Sequence, residues 1–198
     1  MRQVAAEWRI SMKQEIKTTS NTKEFVNKRV RTITITITAL FAALITIMTA
    51  YICHIPIPGG YIHIGDSLIY LAAAILPMRY AMIAGAIGGG MADLLTYPMW
   101  AIPTMIIKAL IVLPFSNKDN KIITKRNIIA TVIAYVISGV CYYLAGALVF
   151  GAKTAFIVSM LQSIIQSGGS AVIFIILGIA LDKCNFKARI YNNGAEVK

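Results

Sequence analysis

From residue 33 onward the chain is a series of apolar runs separated by short polar or Pro/Gly-rich breaks. The first run, 33–53, opens with ITITIT, an alternation that by itself reads as a strand. It then continues as ALFAALITIMTAYIC with no turn signal. About 20 apolar residues cross a bilayer as a helix, so the length overrules the local alternation. Five further runs follow, at 64–77, 80–97, 101–115, 127–150 and 155–181. The pattern predicts an all-α integral membrane protein with six transmembrane helices. The second and fourth are short for a bilayer and call for tilt or for shelter behind their neighbours.

The breaks are as regular as the runs. HIPIPGGYIH at 54–63 holds Pro56, Pro58, Gly59 and Gly60, which stop a helix and make a loop able to fold over a pocket. Met78-Arg79 and Gly151-Ala152-Lys153-Thr154 are brief turns, and Tyr97-Pro98-Met99-Trp100 has the aromatic character of a membrane interface. Gly85, Gly88, Gly89 and Gly90 crowd the third run. In lipid such glycines mark close helix contact, and Gly85-x-x-x-Gly89 has the spacing for it.

Composition agrees. Of 198 residues, 58% are hydrophobic and 14% charged, which belongs to the membrane class. The formal charge of +11 would raise nucleic acid as a partner, but position excludes it. Lys and Arg concentrate in residues 1–31, at Arg79, in 118–126 and in 183–198, the segments that share one side of a six-span protein. The positive-inside rule then places both termini in the cytoplasm, in a multi-pass membrane protein. The expected division is a cytosolic basic extension over 1–31, a membrane domain over 32–184, and a basic cytosolic tail over 185–198. The extension reads either as a surface for anionic lipid or as a solvated tail. Cys53, Cys141 and Cys184 are scattered and odd in number, which gives no disulfide framework or zinc site. No metal, cofactor or catalytic residue is expected. GxSxG, HExxH and Walker loops are absent from the sequence, so the chain does not drive uptake by ATP hydrolysis alone.

The candidate chemistry lies in polar residues kept inside apolar runs, where an ionisable group costs roughly 2.5–3.5 kcal/mol and is a site hypothesis by default. Asp66 starts the second run, with His63 one turn before it. Asp93 and Lys108 lie near the outer ends of the third and fourth runs. As members of a helical hairpin they are expected to pair, to touch a ligand, or both. Gln162, Gln166 and Ser170 recur every four residues and share one helix face, near Ser159 and Ser163. Tyr61, Trp100 and the fifth-run tyrosines, Tyr135, Tyr142 and Tyr143, are candidates to stack on a flat ring. The expected substrate-binding set is Tyr61, His63, Asp66, Asp93, Trp100, Lys108, Gln162 and Gln166.

The runs GGYIHIGDSLIYLAAAILP and GAIGGGMADLLTYPMWAIPTMIIK, above all Ile64-Gly65-Asp66, Ala92-Asp93 and Pro103-Thr104 through Lys108, resemble the substrate-binding S component of energy-coupling factor (ECF) vitamin transporters. The resemblance covers roughly residues 33–182. It is strongest to the group associated with riboflavin, hydroxymethylpyrimidine and vitamin B6. One difference is Ser159-Met160-Leu161-Gln162, where relatives often carry Asn-x-x-Gln. The resemblance implies a non-enzymatic subunit that binds a small vitamin or precursor at the outer face. Its implied partners are a transmembrane coupling subunit and two ATPase subunits in the bilayer. Ala39-x-x-x-Ala43 matches the motif by which such proteins dock on the coupling subunit. From the residues alone, a self-contained small transporter or channel and an intramembrane enzyme remain the alternatives.

Overall fold

A computed structural model describes the backbone of residues 2–52, 55–57, 60–150 and 152–192, with side chains at 24, 26–52, 55, 63–148 and 163–191. Helix α1 runs from Arg2 to Ala50. A short hairpin follows, β1 (Ile55–Ile57) and β2 (Gly60–Ile62). Then come α2 (Asp66–Ile75), α3 (Met78–Thr96), a single 3-10 turn (Pro98–Trp100) and α4 (Ala101–Leu110). Helices α5 (Lys125–Phe150), α6 (Ala152–Lys183) and α7 (Phe186–Asn192) complete the order.

The alternating ITITIT segment is helical, and its threonines explain how. Thr32, Thr34, Thr36 and Thr38 each donate to the carbonyl one turn back, at 2.7–3.0 Å. A hydroxyl closed on its own helix needs no partner from lipid. The basic extension and the first span thus share one unbroken helix. The apolar part long enough to cross a membrane is Val26–Ala50.

Lys125–Leu148 and Ser163–Lys183 also have the length and composition to cross. The expected second and fourth spans are shorter than the sequence boundaries implied. Helices α2 and α4 have ten residues each, about 15 Å at the helical rise, or half of a ~30 Å hydrocarbon layer. Helix α2 ends because Pro77 follows Leu76. The ring of a proline pushes the preceding residue out of helical space, and Leu76 has ψ 155°.

Helix α2 is the centre of the bundle. Nine of its residues are buried, and it packs against α1, α3 and α6. Around it α1 packs on α3, α3 on α4, α4 on α5 and α5 on α6. Helix α3 is thin enough to be gripped from both sides. A Cβ on Gly88 would lie 2.7 Å from Ile45 Cβ and 2.8 Å from the Ala42 carbonyl oxygen. Thr46 Oγ1 also donates to the Gly88 carbonyl, at 3.1 Å. Ala42 is therefore the small α1 residue turned inward, while Ala39 and Ala43 are exposed on the outside of the bundle.

At the end away from the hairpin, polar contacts tie four segments together. Asn127 is fully buried. It accepts from Ser116 N at 2.9 Å and donates to the Ser116 and Ile122 carbonyls at 3.0 and 2.9 Å. Asp182 accepts from Ile122 N and Ile123 N, at 2.7 and 2.9 Å. Lys187, on α7, donates to the carbonyls of Ala74, Asn117 and Asp119 at 2.9, 2.6 and 2.6 Å. Tyr191 donates to Ile75 O at 3.0 Å. The expected basic tail thus contains a docked helix that caps the end of α2. Its turn from α6 uses Asn185 at φ 49°, a left-handed conformation that asparagine tolerates.

Candidate functional site

The hairpin end holds the other polar cluster. The loop 54–63 was expected to fold over a pocket. Its strands pair antiparallel with Ile55 opposite Ile62 and Ile57 opposite Gly60, and β2 lies against α6. His63 then turns the chain into α2. Its Nδ1 accepts from Gly65 N at 3.0 Å, satisfying a backbone donor at the helix start. Gly65 is required by space. A Cβ there would sit 2.1 Å from Thr49 Oγ1 and 3.1 Å from His63 Nδ1. The close approach sets His63, itself buried, beside the first turn of α2.

Asp66 opens that turn and is fully buried. Lys108 Nζ on α4 donates to its Oδ1 at 2.5 Å, and Gln166 Nε2 on α6 donates to its Oδ2 at 2.9 Å. Both carboxylate oxygens are therefore engaged, by a cation from one helix and an amide from another. Lys108 is 1% exposed. Its stem passes α3 only because that helix presents glycines. A Cβ on Gly89 would lie 2.8 Å from Lys108 Cγ, and one on Gly85 would lie 3.0 Å from Lys108 O. The glycine-rich third run thus provides the channel in which a long cationic side chain is buried.

Helix α5 supplies an aromatic wall. The Lys108 ammonium stands 5.6 Å from the centroid of the Tyr142 ring, within cation–π range. Tyr142 Oη and Thr104 Oγ1 share a hydrogen bond at 3.1 Å. Trp100 meets the Tyr142 ring edge-on, with centroids 5.8 Å apart. Asp93 is buried on α3, within electrostatic reach of Tyr142.

The structure therefore brings Asp66, Lys108 and Gln166 into one bonded unit, with His63 at its rim and Trp100 on its aromatic side. The expected Lys108–Asp93 pairing is corrected. Among the described residues, the ion pair of Lys108 is with Asp66. The reason is that α2, not α3, occupies the middle of the bundle and offers its first carboxylate to the lysine. The side chains of Tyr61 and Gln162 lie outside the described residues. Thr104 and Tyr142 belong to the cluster but were absent from the expected set. Thr104 carried a usable signal, since it sits one turn before Lys108 on the same face. No group of three metal-ligating side chains forms among the described residues.

Residues 29–183 match the family described as ECF-type riboflavin transporter, S component. The chain belongs to that family. A second similarity, 38% identity over 63 residues, is to a Pyrococcus woesei protein described as "Uncharacterized protein in gap 3'region". The match takes in 31% of this chain and 43% of that one, so the chain spans less than half of the length of this relative. Family membership and the apolar helices identify this S component as a multi-pass membrane protein of a vitamin-transport family, and not an enzyme.

Proposed function

We propose that this S component binds a small vitamin or vitamin precursor at the outer face of the plasma membrane and delivers it for ATP-driven import. In this reading the six apolar segments cross or half-cross the bilayer, both termini are cytoplasmic, and the hairpin end faces outward. The ligand lies against Asp66, Lys108, Gln166 and the Tyr142–Trp100 wall. His63 and Asp93 contribute at the rim, and Tyr61 and Gln162 are further binding residues in this reading. The hairpin is the gate. Import requires a transmembrane coupling subunit and two ATPases, and Ala39 and Ala43 form the docking stripe on α1. Their exposure, while the neighbouring Ala42 is buried against α3, supports that assignment.

The observation that carries the reading is the Asp66–Lys108–Gln166 unit. It assembles polar side chains from three helices at the hairpin end of an apolar bundle. Buried ion pairs are poor sources of stability, because desolvation offsets much of the attraction. Retaining one here is better explained by ligand recognition. The test is native mass spectrometry of gently purified protein, paired with a thermal-shift panel of B vitamins and their precursors. One tightly bound vitamin and no unassisted flux in liposomes are expected. Flux or product formation by the chain alone would refute the binding-subunit reading.

A further inference from the structure

Helices α2 and α6 run side by side in the same direction. Gln166 meets Asp66 at the hairpin end, and α7, which follows α6, meets Ala74 and Ile75 at the other. Residues that share an offset from 66 and 166 therefore share a depth. One turn below the ion pair stand Tyr70 on α2 and Ser170 on α6, with Ser167 between the two levels. Their exposures are 0%, 0% and 3%. Tyr70 and Ser167 face each other within hydrogen-bonding reach, neither has any further partner, and Ser170 has none. Among the described residues several helix hydroxyls close on their own carbonyls, as those of Thr34, Thr38 and Thr46 do. Tyr70, Ser167 and Ser170 do not, and they stand together. Beyond them the site is sealed. The Phe115 ring stacks on Tyr70 at 5.1 Å, and Phe174 meets it edge-on at 6.0 Å.

We propose that Tyr70, Ser167 and Ser170 form a deep subsite that takes an uncharged hydroxyl group of the ligand. The inference rests on the binding-subunit reading above and deepens it. A hydroxyl both donates and accepts, so three of them match an alcohol rather than an acceptor-only anion. Asp66 and Lys108 engage one another one turn above, which leaves this level neutral. A buried polar group without a partner costs stability, so such hydroxyls make sense where bound ligand completes them. A lone water has the same hydrogen-bonding chemistry, and the test separates the two.

The full-length protein in detergent is titrated with matched pairs of a hydroxylated compound and its counterpart lacking that hydroxyl or chain. The pairs are riboflavin and lumichrome, pyridoxine and 4-deoxypyridoxine, and hydroxymethylpyrimidine and its 5-methyl analogue. Wild type is compared with Ser167→Ala, Ser170→Ala, the double alanine variant and Tyr70→Phe. For the pair that binds, wild type prefers the hydroxylated member by about 10-fold, as expected for one or two neutral hydrogen bonds. In the double alanine variant the preference falls to within about 2-fold, by the logic of a double-mutant cycle. The melting temperature without ligand stays the same or rises, because costly unpaired hydroxyls are gone. Equal weakening of both members, as for a site that holds only water, overturns the subsite. So does a preference that survives in every variant. If wild type binds no member of any pair, the binding reading itself fails and the subsite with it. Should the double variant not fold, the single variants carry the same comparison.

Discussion

The two ends of the bundle bury polar groups in different ways. At the far end, Lys187, Asp182 and Asn127 bond to backbone carbonyls and amides. Each answers a need created by the fold itself: carbonyls at a helix end or in a loop that lack donors, or loop amides that point inward. At the hairpin end, Lys108 and Gln166 both donate to Asp66, one turn above hydroxyls that lack a full set of partners. Backbone-directed polar groups stitch segments together and leave nothing open. Side-chain-directed groups resolve no backbone requirement and stand ready for a ligand. Apart from His63, which accepts from Gly65 N, the bonding partner separates architecture from site where burial alone does not.

The comparison breaks most readily at Lys108. Lys108→Met leaves a buried carboxylate without its cation, and about 3–5 kcal/mol of stability is expected to go. The double variant Asp66→Asn/Lys108→Met should regain most of that stability in thermal unfolding yet bind no ligand. If the double variant binds normally, the hairpin-end cluster is merely architecture. Lys187→Met is the counterpart at the far end. Losing charge-assisted bonds to three carbonyls is expected to cost roughly 2–3 kcal/mol. Ligand affinity measured by calorimetry should stay within about 2-fold of wild type, because nothing at that end faces the site. A large loss of affinity would show that the two ends are not separable.

A smaller effect tests the packing that carries the site. Gly88→Ala forces a methyl against Ile45 and the Ala42 carbonyl, and overpacking of this kind costs about 1–3 kcal/mol. Gly168→Ala is its control. A Cβ there meets nothing within 4 Å, so the helix should gain about 0.5–1 kcal/mol from the better helix former. Chemical denaturation of the two variants should therefore move in opposite directions. A change of similar size is expected for Tyr142→Phe. It removes the bond to Thr104 but keeps the ring beside Lys108, at a cost of about 1 kcal/mol. Ring-bearing ligands should still bind, and the loss of all binding would assign the hydroxyl a direct role.

Much of the hairpin end was legible in the sequence. Asp66, Lys108 and Gln166 are conspicuous because an apolar run tolerates such groups only for a reason. The Pro/Gly-rich break at 54–63 announced a loop, and its strand pairing follows from extended residues on either side of Pro58-Gly59. Lys187 was not legible. Among Arg and Lys residues in a basic tail it looks like one more solvated charge, and only the arrival of α7 beneath α2 gives it three carbonyls. Thr104 and Tyr142 were half legible. Each lies at helical spacing among apolar residues, where a packing role and a site role leave the same trace. Asp93 and Lys108 do lie on neighbouring helices, but Lys108 runs past the glycines of α3 to reach Asp66 on α2, a choice made by the packing of three helices.

By itself the sequence determined the apolar segments, the places where they break, the ionisable residues that interrupt them, and the family. Those properties are local, since each depends on a residue and its few neighbours along the chain. Tertiary structure decided that α2 lies at the centre and that Lys108 turns to Asp66. It also decided that glycines on α3 make room for the lysine stem and that α7 caps the end of α2. These depend on which helix lies beside which. In an apolar medium, where hydrophobicity does not distinguish one helix neighbour from another, that choice rests on shape and on hydrogen bonds between distant residues.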